Sequence, residues 1–180
     1  MTAQRQEGNR IGVGAYFRPR SAIIALVLLV GADVAGFGRW GWGSKAIAAT
    51  TERVVTNRYS GLAIEGYDPL AYFIDAQPAP GLPEFEAAQA GVVWRFRNEG
   101  NRASFMAHPE IYAPQFGGYD PVDVARGITV AGNPLFWLIS GERLYLFGRE
   151  ENRDTFAGNP GPILKQAILR WPELEEKLAQ

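Results

Sequence analysis

The chain has 180 residues, with 47% hydrophobic, 21% charged and 12% aromatic side chains, and a formal net charge of -1 that gives no basis for nucleic-acid binding. It has no cysteine, which excludes disulfides, thiolate nucleophiles and thiolate metal ligands. With 21 glycines and 12 prolines, loops should be frequent and elements short.

The charge is unevenly placed. Residues 1–48 carry Arg5, Arg10, Arg18, Arg20, Arg39 and Lys45 against only Glu7 and Asp33, so the remainder is acidic on balance. Arg18 and Arg20 precede an uncharged run, Ser21 to Val30, that continues past Asp33 to about Gly38. A basic flank followed by such a run reads as a signal for general export, with no twin-arginine pair. Ala46-Ile47-Ala48 fits a cleavage site after Ala48, giving a periplasmic or otherwise extracytoplasmic product. The alternative is an uncleaved transmembrane helix that tethers the chain to the membrane, with Trp40 and Trp42 at the interface. The expected organisation is a signal or anchor over 1–48, a linker over 49–58, and one domain over 59–180.

Within the domain, Asp68-Pro69 supplies an N-cap and a first helical position, so a short helix should start there. Residues 77–81 read as a loop. Val92, Trp94 and Phe96 fall on one face of an alternating run and predict a half-buried strand. Residues 101–107 are helix-like and stop at Pro109. Residues 135–139 and 143–147 are β-rich and separated by Ser140-Gly141-Glu142, a hairpin signal. Helices are expected over 150–156 and 162–170, with Trp171-Pro172 opening a last one. No internal repeat stands out. The class is α+β: a small single domain with a central antiparallel sheet or hairpin flanked by short helices, preceded by the N-terminal apolar segment.

The residues offer little catalytic chemistry. The only histidine available as a base is His108, four residues after Ser104 on a predicted helix, and no nucleophile elbow is present. One histidine without cysteine does not make a tight transition-metal site within one chain. The carboxylates Asp68, Asp75, Glu110, Asp120 and Asp123 are dispersed and form no calcium loop. An acid–base pair of Asp68 and Asp120 has no support in their spacing. The aromatic residues mark a core, or a pocket for a small apolar ligand; Tyr67, Asp68, Tyr112, Tyr119 and Trp137 are its binding candidates.

The segment Ala63-Ile64-Glu65-Gly66-Tyr67-Asp68-Pro69-Leu70-Ala71-Tyr72-Phe73 resembles the opening motif of YHS-domain proteins. The resemblance continues through Trp94-Arg95-Phe96, Phe105 to Tyr119, Asn133-Pro134, Gly141 to Leu146 and Trp171-Pro172, in order and across nearly all of residues 60–174. It implies an exported, non-catalytic binding module with a metal-binding role, hence a divalent ion or small ligand as partner. Members usually carry cysteine after Gly-Gly-Tyr; here Asp120 stands there, followed by Pro121. The resemblance therefore directs a metal to Asp120, with oxygen-preferring ions favoured; Asp68 or His108 is the candidate second ligand, although the family has no fixed histidine at the place of His108. The same Asp-Pro pair also reads as a helix N-cap and its first residue.

Overall fold

The computed structural model describes residues 52–179. The basic and apolar segment, the cleavage motif at Ala48 and the first residues of the expected linker lie outside the described residues. None of the described helices is long and apolar enough to cross a membrane.

Ten elements follow one another: α1 (Ala71–Ile74), β1 (Leu82–Gln89), β2 (Val92–Phe96), α2 (Glu99–Ala107), α3 (Pro109–Tyr112), α4 (Pro121–Arg126), β3 (Asn133–Ser140), β4 (Arg143–Phe147), α5 (Glu150–Gly158) and α6 (Pro160–Leu178). The class is α+β. The antiparallel strands form two hairpins, β1–β2 and β3–β4, each its own two-stranded sheet.

The two hairpins belong to two copies of one plan, an internal repeat that the sequence did not lead us to expect. Gly66-Tyr67-Asp68-Pro69 returns as Gly118-Tyr119-Asp120-Pro121. Each copy is preceded by a tight turn with left-handed backbone, at Ile64 and Glu65 in the first half and Phe116 and Gly117 in the second. The Asp68 N–H donates to Ala79 O and the Asp120 N–H to Val130 O; Gly81 N–H donates to Gly66 O and Gly132 N–H to Gly118 O. Pairing is interrupted at the same place in both hairpins, between Leu82 and Glu86 and between Asn133 and Trp137. Both hairpins turn through two residues of positive φ, Ala90-Gly91 and Gly141-Glu142, the twist that two-residue hairpin loops require. Asn101-Arg102 and Phe105 on α2 correspond to Asn152-Arg153 and Phe156 on α5.

Packing follows the same duplication. In the first half Trp94, Phe96 and Phe105 are buried together, with Trp94 and Phe105 centroids 4.8 Å apart. In the second, Phe147 and Phe156 are buried at 5.3 Å, with Tyr145 at 4.9 Å from Phe156. Strand β2 alternates as expected, with Val92, Trp94 and Phe96 inward. Strand β1 carries no such alternation and contains Pro83, so nothing in its hydrophobic pattern marks it as a strand. Helix α6 runs unbroken through Pro172 rather than stopping and restarting at Trp171. Proline there removes one hydrogen bond to a carbonyl four residues back, on an exposed stretch of helix where water replaces it.

The expected linker is structured from Glu52 onward. Val54 and Val55 are buried. Glu52 N–H donates to Leu178 O at 3.0 Å, and Val55 N–H donates to Gly117 O at 2.8 Å while Val55 O accepts from Ile64 N–H at 3.0 Å. Residue 55 thus joins the left-handed turns of both halves. This strap is held because an apolar Val-Val pair has more to gain from burial than a polar linker would.

Candidate functional site

The most functional-looking groups are Asp68 and Asp120, carboxylates with no exposed surface. A buried carboxylate needs its charge met by donors. Asp68 Oδ1 accepts from Leu70 N–H at 2.9 Å, and its Oδ2 accepts from Arg97 N–H at 2.8 Å and Asn101 Nδ2 at 2.6 Å. Asp120 repeats this set: Oδ1 accepts from Val122 N–H at 2.9 Å, and Oδ2 from Gly148 N–H at 2.8 Å and Asn152 Nδ2 at 2.7 Å. Asp120 is the N-cap of α4 with Pro121 in its first turn, as the Asp-Pro reading anticipates. In each half the carboxylate thereby ties the start of one helix to the end of a hairpin and to an asparagine on the next helix.

The second half extends this network. Asn152 Nδ2 also donates to Asp123 Oδ2 at 3.0 Å, and Asp123 Oδ1 pairs with Arg126 at 2.8 Å and Arg149 at 3.5 Å. No buried side-chain nitrogen or oxygen among the described residues is left without a partner.

The metal candidates do not meet. Asp68 and Asp120 belong to different halves and share no hydrogen-bond partner. His108 stands exposed between α2 and α3, with Nδ1 3.4 Å from Glu110 Oε1. Among the described residues no three histidine, cysteine or carboxylate side chains gather where they could hold an ion. The acid–base pairing of Asp68 with Asp120 has the same geometry against it.

The aromatic candidates are also dispersed. Trp137 packs edge-on against Tyr72 at 5.3 Å, and Tyr112 against Phe73 at 5.4 Å. Tyr67 packs against the first core. Tyr119 O–H donates to Glu52 O at 2.6 Å. Burial raises the phenol pKa of Tyr119 and of Tyr145. It raises that of Tyr72 far more, with Tyr67 and Asp68 adding to the shift.

Two concavities flank the N-terminal strap and share Val54 and Gly91. One, of about 520 Å³, is lined by residues 54–58 together with Val92, Tyr119, Thr129 and Ala131. The other, of about 540 Å³, takes in Arg53, Pro114, Trp171 and Glu175. Of the five ligand-binding candidates, only Tyr119 lines either. Sequence reasoning missed the strap and the asparagines Asn101 and Asn152. The signal for the asparagines was the shared Asn-Arg-x-x-Phe pattern on two predicted helices. Comparison with family models, with curated proteins and with solved structures returned no match to this chain.

Proposed function

We propose that this chain is an exported YHS-like domain, periplasmic or membrane-tethered by its N-terminal segment, that works by binding and carries out no reaction of its own. The reading rests on one observation: the two carboxylates are fully buried and each is bonded by two backbone N–H groups and an asparagine. Groups bonded and enclosed in this way hold helices to hairpins and present no surface to a substrate or an ion. Absence of thiol chemistry and the exposed position of the single described histidine point the same way. Binding then falls to the concave surface beside the strap, where Tyr119 is the one sequence candidate in place.

Calorimetry of the purified chain with Ca²⁺, Mn²⁺ and Zn²⁺ tests the ion part. No saturable heat is expected from the wild type or from Asp120→Ala. Micromolar binding that Asp120→Ala weakens tenfold, ~1.4 kcal/mol, would restore Asp120 as a ligand. Export is tested by fusing residues 1–50 to a reporter active only outside the cytoplasm; deleting residues 21–30 should silence it.

A further inference from the structure

The strap runs antiparallel beside residues 62–64, joined to them by an isolated bridge and two backbone hydrogen bonds, and belongs to neither hairpin sheet. Its inner edge is paired: Thr56 bridges Ala63, Asn57 N–H donates to Leu62 O at 2.9 Å, and Leu62 in turn bridges Val93 of β2. Its outer edge is open among the described residues. Val54 O, both Thr56 backbone groups and Arg58 N–H take no hydrogen bond from the described residues. All three residues line the 520 Å³ concavity. Exposed strand edges are ordinarily blunted by proline, lysine or a bulge. This edge has no proline or lysine, and its charged residues Glu52, Arg53 and Arg58 flank the β-branched run Val54-Val55-Thr56, the residue types that favour pairing.

We propose that this edge takes an extended peptide, which pairs with the strap as an added strand within the cleft. The inference rests on the reading of the domain as a binding module and names its partner class. Alternating backbone donors and acceptors at strand spacing are matched by another backbone, whereas a compact small molecule reaches one or two of them. The side chain entering the cleft meets Gly91, Val92 and Ala131, so a small apolar residue fits there. Glu52 and Arg58, at the two ends of the strap, favour a basic residue at one end of the peptide and an acidic one at the other.

The probes are acetyl-Lys-Thr-Val-Thr-Glu-amide and its charge-reversed partner acetyl-Glu-Thr-Val-Thr-Lys-amide, which report the two strand directions. Titrated into the ¹⁵N-labelled chain, one of them is expected to shift the Thr56 and Arg58 amides with a Kd below about 1 mM. N-methylation at the central valine, or alternatively at both threonines, should weaken binding at least tenfold in one register only, since alternate residues face the edge. Thr129→Arg, filling the cleft, should abolish the shifts at an unchanged Tm. No shift with either peptide, or equal binding by all methylated forms, overturns the proposal. So does sedimentation showing a dimer that the peptides do not dissociate, which would make a second copy the occupant. Silence from the peptides, with export and ion titration as expected, leaves the binding-module reading standing.

Discussion

Replacing Asp120 by alanine gives a result whose sign separates a structural carboxylate from a ligand-holding one. The wild-type side chain is fully buried and serves three donors: Val122 N–H, Gly148 N–H and Asn152 Nδ2. Loss of the N-cap costs about 1 kcal/mol. Gly148 N–H, left without a partner, adds about 1–3 kcal/mol, and Asn152 sits at the low end of that range because it retains Asp123 at 3.0 Å. The total is roughly 3–5 kcal/mol, a large share of the ~5–15 kcal/mol that holds a domain together. Asp120→Asn should lose nearly as much, since either orientation of the amide sets an NH₂ against an N–H donor. Urea unfolding at neutral pH measures both, with equal m-values required for the comparison. Asp68→Ala should cost a similar amount, and the double variant should add to within about 0.5 kcal/mol because the two sites share no partner. A loss under ~1 kcal/mol refutes the reasoning. A gain in stability would refute it more thoroughly, being the mark of a carboxylate kept at a cost for something it binds.

Three other outcomes are expected. Trp94→Ala should lose about 3–5 kcal/mol in urea unfolding, because Trp94 is 2% exposed and stacked on Phe105; a near-zero loss would mean that it serves a surface. Gly117→Ala should cost at least ~2 kcal/mol, since a Cβ there meets the Arg53 carbonyl, while Gly141→Ala, also at positive φ but in open space, should cost only about 1 kcal/mol; equal losses would show that the strap yields. The Tyr72 phenol keeps its proton in the folded state well above 10.0, the value at which the unfolded chain releases it. Its stabilisation is therefore intact below pH 10 and declines above it by ~1.4 kcal/mol per pH unit. Chemical unfolding at pH 8 and pH 11 should show a decline at least this steep, and Tyr72→Phe should reduce it, leaving the smaller shares of Tyr119 and Tyr145.

Elements with a strong period or a hairpin signal were legible in the sequence: β2 from Val92, Trp94 and Phe96, β3 and β4 from two β-rich runs around Gly141, α4 from Asp120-Pro121. Strand β1 was not, because Pro83 and its mixed burial erase the alternation on which strand recognition depends. The repeat escaped notice because its identities are few and spread out. Gly-Tyr-Asp-Pro and Asn-Arg-x-x-Phe recur, while core positions around them exchange Trp94 for Tyr145 and Leu62 for Pro114, swaps a core absorbs when volume is balanced nearby. Asp68 and Asp120 were visible as candidates, but their role was not. What fixes that role is the pair of asparagines and the hairpin-end amides of Arg97 and Gly148, which only the fold brings to them.

The strap has a consequence for the order in which the domain completes itself. Two of its amides are answered by groups made much later in synthesis: Val55 N–H by Gly117 O in the second half and Glu52 N–H by Leu178 O in the last turn of α6. Contacts this distant along the chain slow folding, because loop closure must precede the contacts that reward it. A polypeptide whose first described segment is locked at both ends of its fold only when its final helix is finished completes its closure late. For a chain destined, as we propose, to thread an export channel unfolded, late closure amounts to a built-in delay.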